Sequence, residues 1–295
     1  MDLIIDVGAN SGEFGLDVAL RNSGVEVLAI EPIPELCEQI ETKAFQSQLR
    51  NVKVSRLAIA ADEQTSLFHV TDRADQGVSS LLDFDHESIN RDDYWKNRQD
   101  LHFDRTITVD VKRLDSLPEV AAANRIRFIK IDAQGMDLQV LESLGRYLPR
   151  VEAGMLEVPA TLEFRLYAQE CNDLNSTTNR LLELGFQVYA VKPNDHASNE
   201  FNLFFCRVGL DHHVIEQELH LRGVRLYDGK HYWHSPSNKL ESDGALSEAR
   251  TVLDRLILIE AALERECAET KRLNDAVVQR DEQIKFLQAL GHRPR

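Results

Sequence analysis

The first thirteen residues constrain the fold of this chain more than any other segment. Residues 3–7 form an apolar run interrupted only by Asp6, and a turn with glycine at positions 8 and 12 follows at once. A short apolar run that ends in a glycine turn is typical of a buried strand that leads into a helix. The segment therefore predicts a strand–turn–helix unit, from which open α/β sheets are built.

Short apolar runs and helical stretches continue to alternate as far as about residue 208. Strands are predicted at 3–7, 25–30, 52–57, 66–70, 106–111, 128–131, 154–157, 187–191 and 202–206. Helices are predicted at 13–22, 34–48, 136–144 and 172–184. Such alternation gives parallel strands with right-handed crossovers, and the short polar segment between the last two strands suits an antiparallel hairpin. We therefore predict a Rossmann-like α/β fold.

Three regions follow from this pattern. Residues 1–208 form the α/β domain, 209–244 a polar and solvated connector, and 245–290 a helical tail. The tail has no proline or glycine, and a weak heptad favours a long helix over a well-formed coiled coil. The polar stretch 71–105 interrupts the α/β domain and is expected to form a lid on the substrate side.

Composition excludes several classes of function. Of the 295 residues, 43% are hydrophobic, which is enough for a sizeable core, and the net charge of −15 argues against nucleic acid and anionic membranes as partners. No apolar run is long enough to span a membrane, and the N-terminus lacks the features of a signal peptide. The four cysteines are far apart. These features favour reduced thiols and a cytoplasmic location.

The first turn carries the strongest chemical signal. It reads D-x-G-x-N-x-G from Asp6 to Gly12, whereas a dinucleotide site has G-x-G-x-x-G, and Asn10 stands where that pattern has a glycine. Glycine at such a turn lets a ligand lie against the backbone. An acid beneath the turn suits a cationic amino group and repels a pyrophosphate. The turn therefore favours the methionine moiety of S-adenosylmethionine over NAD.

Two further acids follow strands of the predicted sheet. Glu31 ends the second strand and is placed to accept hydrogen bonds from ribose hydroxyls. Asp132 ends the strand at 128–131 and precedes a glycine turn, so it either faces the reacting centre or caps the following helix. In open α/β sheets ligands bind at the carboxyl ends of the strands. All three acids are therefore expected at one edge of the sheet.

Together these motifs resemble the FkbM family of S-adenosylmethionine-dependent methyltransferases. The resemblance rests on D-V-G-A-N-S-G at 6–12, E-P at 31–32, G-V-S-S-L at 77–81, V-K-R-L-D-S-L at 111–117 and K-I-D-A-Q-G-M-D-L-Q-V-L at 130–141. It covers about residues 1–160.

The resemblance implies a class I methyltransferase fold of seven strands, the last of them antiparallel. It also implies O-methylation of small molecules or sugars. The residues that it implies for binding the cofactor are Asp6, Gly8, Asn10, Gly12 and Glu31, with Ala58 and Asp62 beside the adenine.

The chain departs from the family pattern in a few places. Gln134 stands where many members have glutamate, and Asp137 replaces the commoner glutamate. No helix precedes the first strand as it does in family members, which implies either a more open cofactor pocket or a chain that begins late. Residues beyond about 209 lie outside the resemblance.

Asp132 is the first candidate for the general base that an alcohol nucleophile needs. Lys130, two residues earlier on the same strand face, could orient Asp132 or the substrate, and Gln134 completes the candidate catalytic set. Ser79 and Ser80 are candidate contacts for the acceptor, and otherwise form a turn. No set of partner carboxylates accompanies Asp132, so no metal site is predicted.

The expected function is therefore methyl transfer to a hydroxyl group of a sugar, a glycan or another small molecule. Two alternatives remain open on the sequence. One is a methyltransferase-like scaffold without activity, and the other is an NAD-dependent oxidoreductase. In the enzyme interpretation the C-terminal helix serves for oligomerisation or for docking on a partner protein.

Overall fold

A computed structural model describes residues 1–72, 76–93, 95–98, 101–194 and 199–228. The predicted helical tail at 245–290 and the second half of the predicted connector lie outside these residues. In the part of the chain that is described, no helix is both long and apolar enough to cross a membrane.

Ten strands and eight α-helices make up the described fold. The strands are β1 (Asp2–Val7), β2 (Glu26–Ile30), β3 (Val52–Ser55), β4 (Ala58–Ile59), β5 (Gln64–Val70), β6 (Arg105–Lys112), β7 (Arg125–Ile131), β8 (Ala153–Pro159), β9 (Phe186–Pro193) and β10 (Glu200–Arg207). The helices are α1 (Glu13–Arg21), α2 (Pro34–Gln46), α3 (His86–Arg91), α4 (Pro118–Ala122), α5 (Asp137–Glu142), α6 (Leu174–Glu183), α7 (His212–Glu218) and α8 (Arg225–Asp228).

Seven strands form one sheet in the order β3-β2-β1-β7-β8-β10-β9. The pairs from β3 to β8 are parallel, whereas β10 runs antiparallel to both of its neighbours. The Rossmann-like fold with an antiparallel last strand is therefore confirmed. The predicted hairpin is β9–β10, and the chain folds it so that β10 lies inside the sheet and β9 at its edge.

Both faces of this sheet are buried. Successive side chains of a strand point to opposite faces, and both sets pack in an apolar cluster. On β1, Ile4 packs in the cluster on one face and Ile5 in the cluster on the other. Phe204 and Phe205 divide in the same way on β10. The uninterrupted apolar runs that predicted these strands are therefore explained by burial on both sides.

The other three described strands form a separate small sheet in the order β4-β6-β5. The sequence predicts one strand at 52–57 and does not separate these strands from the main sheet. In the structure the backbone turns after β3, where the amide of Leu57 donates to the carbonyl of Ser55 at 3.1 Å. Phe68 and Val109 from this sheet pack against Ile33, which precedes α2.

The described part of the insertion 71–105 has an apolar cluster of its own. Phe84 stacks on Phe103 with ring centroids 4.2 Å apart, and on Tyr167 at 5.6 Å. Val78, Ile89, Trp95 and Leu101 complete this cluster within the insertion. The insertion is thus held against the segment that follows β8. Its function as a lid stays a prediction.

Residues 209–228 differ from the expected solvated connector. They form α7 and α8, and five of their apolar side chains are buried against the sheet: Ile215, Leu219, Leu221, Val224 and Tyr227. The side-chain amide of Asn22 also donates to the carbonyl of Leu219 at 2.8 Å. The polar composition of this segment hides the spacing of its apolar residues. That spacing allows them to pack against the sheet.

Candidate active site

The carboxyl ends of the parallel strands meet at one edge of the main sheet and form a cleft there. Residues after β1, β2 and β7 line it, together with the start of the small sheet and part of the insertion. Among the predicted site residues, Gly8, Asn10, Glu31, Ala58, Ser79, Asp132 and Gln134 line this cleft. The others lie beneath it or outside it.

Gly8 lies at the closest approach between two loops. Its φ is 68°, and a Cβ atom built on it would stand 2.0 Å from the carbonyl oxygen of Asp132. No other residue fits here without moving the end of β7. Asn10 also has a left-handed backbone, with φ of 49°, a conformation that asparagine tolerates better than most residues. The turn therefore needs these residue types for its shape as well as for any ligand.

Asp6 lies beneath the turn, as the sequence predicts, but does not line the cleft. The side chain is fully buried beneath the turn, where Oδ2 accepts a hydrogen bond from the amide of Gly15 at 3.0 Å. Its Oδ1 makes no hydrogen bond and lies 3.4 Å from Lys130 Nζ. Burial raises the pKa of Asp6, and Lys130 opposes that effect. Asp6 thus anchors α1, and the charge beside it is that of Lys130.

Gly12 is likewise structural in this conformation. It precedes α1 with φ of 81°, and a Cβ atom on it would approach the side chains of Ile40 and Leu16 at 3.0 Å. Gly12 lies outside the cleft lining. Of the two glycines in the motif, Gly12 therefore allows close packing, and Gly8 lines the cleft.

Glu31 lies in the wall of the cleft and is only 4% exposed. Its Oε2 accepts from the amide of Asn10 at 2.8 Å, and its Oε1 accepts from the amide of Ile33 at 2.9 Å. Burial raises the pKa of Glu31 to about 7, although both hydrogen bonds lower it. Each carboxylate oxygen keeps one free lone pair, which can accept from a ligand hydroxyl.

An apolar wall stands beside Glu31. It consists of Leu57, Ala58, Ile59 and Phe68, of which only Ala58 was predicted. Asp62, the other residue expected beside an adenine, is exposed in the turn after β4 and does not line the cleft. The wall comes from the small sheet, which the sequence did not distinguish from the large one.

Asp132 and Lys130 form the opposite side of the site. The Asp132 side chain is 38% exposed and lines the cleft, whereas that of Lys130 is 4% exposed. Lys130 Nζ lies 3.4 Å from Asp132 Oδ2 and 3.2 Å from the carbonyl oxygen of Gly8. Burial by itself would lower the pKa of Lys130, but the carboxylates of Asp132 and Asp6 raise it above its usual value. The lysine therefore lies between the two carboxylates and does not line the cleft.

Gln134 bridges two carboxylates at this edge. Its Nε2 donates to Asp132 Oδ1 at 2.5 Å and to Glu157 Oε2 at 3.1 Å. Its Oε1 accepts from the hydroxyl of Tyr167 at 2.7 Å. Asn194 donates to the other oxygen of Glu157. Gln134 thus links Asp132 to residues from β8 and from the loops that follow.

Three of these residues, Glu157, Tyr167 and Asn194, were absent from the sequence interpretation. Glu157 lies near the carboxyl end of β8, so the rule that ligands bind at strand ends could have found it. Tyr167 and Asn194 lie in loops and belong to no motif that points to them.

The two candidate acceptor serines have different surroundings. Ser79 lines the cleft, and its hydroxyl accepts from the amide of Thr71 at 3.1 Å. The hydroxyl of Ser80 donates to the carbonyl of Gln134 at 2.8 Å and accepts from the amide of Leu82 at 3.0 Å. Ser80 therefore holds the insertion to the loop after β7, and only Ser79 faces the cleft.

The chemistry of the cleft fits a nucleoside joined to an amino acid. A carboxylate with free lone pairs suits ribose hydroxyls, and the apolar wall beside it suits a purine base. The glycine turn on the other side leaves backbone exposed to the cleft at Gly8 and Asn10.

Comparison with known families identifies the chain. The model of the methyltransferase FkbM domain matches residues 6–188, which is more than half of the chain. The chain belongs to the FkbM methyltransferase family. It is a methyltransferase, and S-adenosylmethionine is its cofactor. The family assignment decides against the NAD-dependent alternative.

Several solved methyltransferases are similar to this FkbM domain at low identity. One from Aquifex aeolicus, described as S-adenosylmethionine-dependent, is 16% identical over 70% of this chain and 82% of its own, with a TM-score of 0.33. A putative tRNA methyltransferase of Streptococcus pneumoniae is 12% identical over 87% of this chain and 92% of its own, with a TM-score of 0.39.

Fibrillarin of Aeropyrum pernix, solved with bound S-adenosylmethionine, is 9% identical over 69% of this chain and 66% of its own, with a TM-score of 0.36. Scores this low carry no weight for function. A search of curated proteins found no match.

Proposed function

We propose that this FkbM domain methylates a hydroxyl group of a sugar, a glycan or another small molecule, with Asp132 as the general base. The observation that carries the proposal is the position of Asp132. Its exposed carboxylate lines the same cleft as Gly8, Asn10 and Glu31, and it directly follows β7, the strand next to β1.

The cofactor would be held by Glu31 at the ribose, by the turn at Gly8 and Asn10 at the methionine moiety, and by the wall that includes Ala58 at the adenine. Bound there, S-adenosylmethionine supplies an electrophilic methyl group on a sulfonium. The chain has to align the acceptor with that methyl group and exclude water, and such positioning can account for most of the rate.

The reaction also needs a group that takes the proton of the hydroxyl as the oxygen–methyl bond forms. A carboxylate oxygen of Asp132 would take that proton. Lys130 would keep the carboxylate in place, since its ammonium group contacts both Asp132 and the backbone of Gly8. Ser79 faces the cleft and would contact a hydroxyl of the acceptor.

The proposal predicts a separation between binding and turnover. Release of S-adenosylhomocysteine would be measured with a panel of sugars and other hydroxyl compounds, beside titration of the protein with S-adenosylmethionine. For an acceptor found in this way, we expect Asp132→Asn to lower turnover by about 10²- to 10⁴-fold, the usual contribution of a general base.

The matched control is Asp110→Asn, which removes the same charge from an exposed position on the small sheet. Turnover should be unchanged in this variant. Equal turnover in Asp132→Asn and in the unsubstituted protein would contradict the role of Asp132. Methylation confined to amines or carbon acids would contradict the proposed acceptor class.

A further inference from the structure

Gln134 is held in an unusual backbone conformation by contacts on both sides. Its φ is 51°, in the left-handed region that few residues other than glycine adopt. The hydroxyl of Ser80 binds its carbonyl oxygen, and Gly135 follows with φ of 92°. The loop after β7 is therefore shaped to place this side chain, although family members often have glutamate here.

The environment of Gln134 explains why an amide stands at this position. Its Nε2 donates to the carboxylates of both Asp132 and Glu157. Burial raises the pKa of Glu157, and the nearby carboxylates of Glu200 and Asp132 raise it further. A glutamate in place of Gln134 would bring another negative charge between two acids, whereas an amide supplies donors to both.

An amide can make these bonds in only one of its two orientations. If the amide were turned over, its oxygen would face the carboxylate of Asp132 and repel it. The Asp132 carboxylate therefore selects the orientation. Tyr167 holds the other end of the amide, because its hydroxyl donates to Gln134 Oε1 at 2.7 Å. The same hydroxyl is 3.0 Å from the carbonyl oxygen of Val78, so its single hydrogen faces two acceptors.

Tyr167 is itself fixed by the insertion. It is 1% exposed, and its ring packs against Phe84 and Leu82 of that segment. Gly135 leaves space for the ring, since a Cβ atom there would approach Tyr167 and Leu82 at 3.0 Å. The place of Tyr167 therefore depends on how the insertion packs.

We propose that Tyr167 is a positioning residue for Asp132, and that it acts by holding the Gln134 amide against the Asp132 carboxylate. Through this chain of contacts, the packing of the insertion sets where the carboxylate of Asp132 points in the cleft. The inference rests on the proposed function, in which Asp132 is the group that acts on the acceptor.

The first test observes the amide directly and needs no ligand. The side-chain NH2 of Gln134 gives two proton signals on one nitrogen, which are assigned by their loss in Gln134→Met. A fixed amide that donates to two carboxylates should give two sharp signals that are well separated. In Tyr167→Phe we expect them to move and broaden, because the amide loses the hydrogen bond that holds its other end.

The control is Tyr147→Phe, which removes a hydroxyl from another buried tyrosine, whose partner is Arg146. This variant should leave the Gln134 signals in place. If the signals were also unchanged in Tyr167→Phe, Tyr167 would not hold the amide and the proposal would be overturned.

The second test measures the effect on charge in the cleft. S-adenosylmethionine and S-adenosylhomocysteine differ by one methyl group and one positive charge, so the ratio of their dissociation constants reports the negative charge near the sulfur. We expect Asp132→Asn to reduce the preference for S-adenosylmethionine by about tenfold. We expect Tyr167→Phe and Gln134→Met to reduce it by about three- to tenfold, the effect of one hydrogen bond.

The outcomes separate this proposal from the proposed function. A preference reduced in Asp132→Asn but unchanged in both Tyr167→Phe and Gln134→Met overturns the positioning role and leaves the role of Asp132 standing. A preference unchanged in Asp132→Asn counts against Asp132 itself, and the amide signals then decide on Tyr167 alone. If Tyr167→Phe does not fold, Gln134→Met supplies the comparison.

Discussion

Replacing Glu31 with glutamine tests the electrostatics of the cleft through the stability of the protein. The pKa of the buried carboxyl is raised from its ordinary 4.5 to about 7. Between these values the folded protein keeps a proton that the unfolded chain releases, so this group makes the free energy of unfolding fall as the pH rises. The gap between the two pKa values corresponds to about 3 kcal/mol of stability. This contribution is lost by about pH 7, and above that pH the group no longer changes the free energy of unfolding.

Glutamine does not titrate, so Glu31→Gln removes this loss. We expect the stability of the variant relative to the unsubstituted protein to increase by up to about 3 kcal/mol between pH 4.5 and 8. The change with pH is the informative quantity, because glutamine cannot accept both backbone hydrogen bonds and carries a constant penalty as well. Urea unfolding at several pH values measures it. The exposed Glu87→Gln is the control for loss of a negative charge.

The same variant tests the contact with the ribose. A hydrogen bond to a charged acceptor contributes about 1.5–3 kcal/mol, so S-adenosylmethionine should bind roughly 10- to 150-fold more weakly to Glu31→Gln at pH 8. In the unsubstituted protein, affinity should fall as the pH drops below about 7, where Glu31 takes up a proton. A stability difference that does not vary with pH would refute the account of the buried carboxyl. Unchanged affinity would refute the ribose contact.

Three further predictions concern packing. Gly8→Ala should abolish binding of S-adenosylmethionine in a titration, because its Cβ atom would stand 2.0 Å from a backbone oxygen. Leu221→Ala should cost about 2–5 kcal/mol in urea unfolding, whereas Leu226→Ala, 38% exposed at the surface of the same segment, should cost less than about 1 kcal/mol. Equal effects would show that residues 209–228 do not belong to the folded domain. Asp137→Ala should lower the thermal midpoint by several degrees, because two backbone amides, at 2.9 and 3.2 Å from its oxygens, lose their acceptor.

The fold was predictable because its strands are buried on both faces and its turns have glycine where the backbone requires it. The small sheet was not predictable, since an edge strand such as β5 has the same alternating pattern in either sheet. The packing of 209–228 was missed for a related reason. Its apolar residues are few and widely spaced among charged ones, and composition hides them.

The site was predictable where a motif marks a strand end. Gly8, Asn10, Glu31 and Asp132 were expected in the cleft and line it. Asp6 belongs to the same motif but lies below the turn, because side chains alternate along β1. The motif alone does not show which of its residues line the cleft.

Residues that enter from loops escaped prediction altogether. The place of Tyr167 depends on an insertion with a cluster of its own, and no local pattern shows where such a segment packs. The contact of Gln134 with Glu157 joins residues from different strand ends, so it depends on sheet order as well as on local sequence.

The contact between Gly8 and Asp132 has a mechanical consequence. The loops after β1 and β7 meet backbone to backbone, and the ammonium group of Lys130 clamps both. The two loops cannot come closer without a clash, so in the proposed function backbone contact sets a lower limit to the spacing between the cofactor and Asp132. Misplacement of reacting groups by about 1 Å can slow a reaction about a hundredfold. A limit on the spacing between the two loops would therefore help to keep the reacting groups aligned.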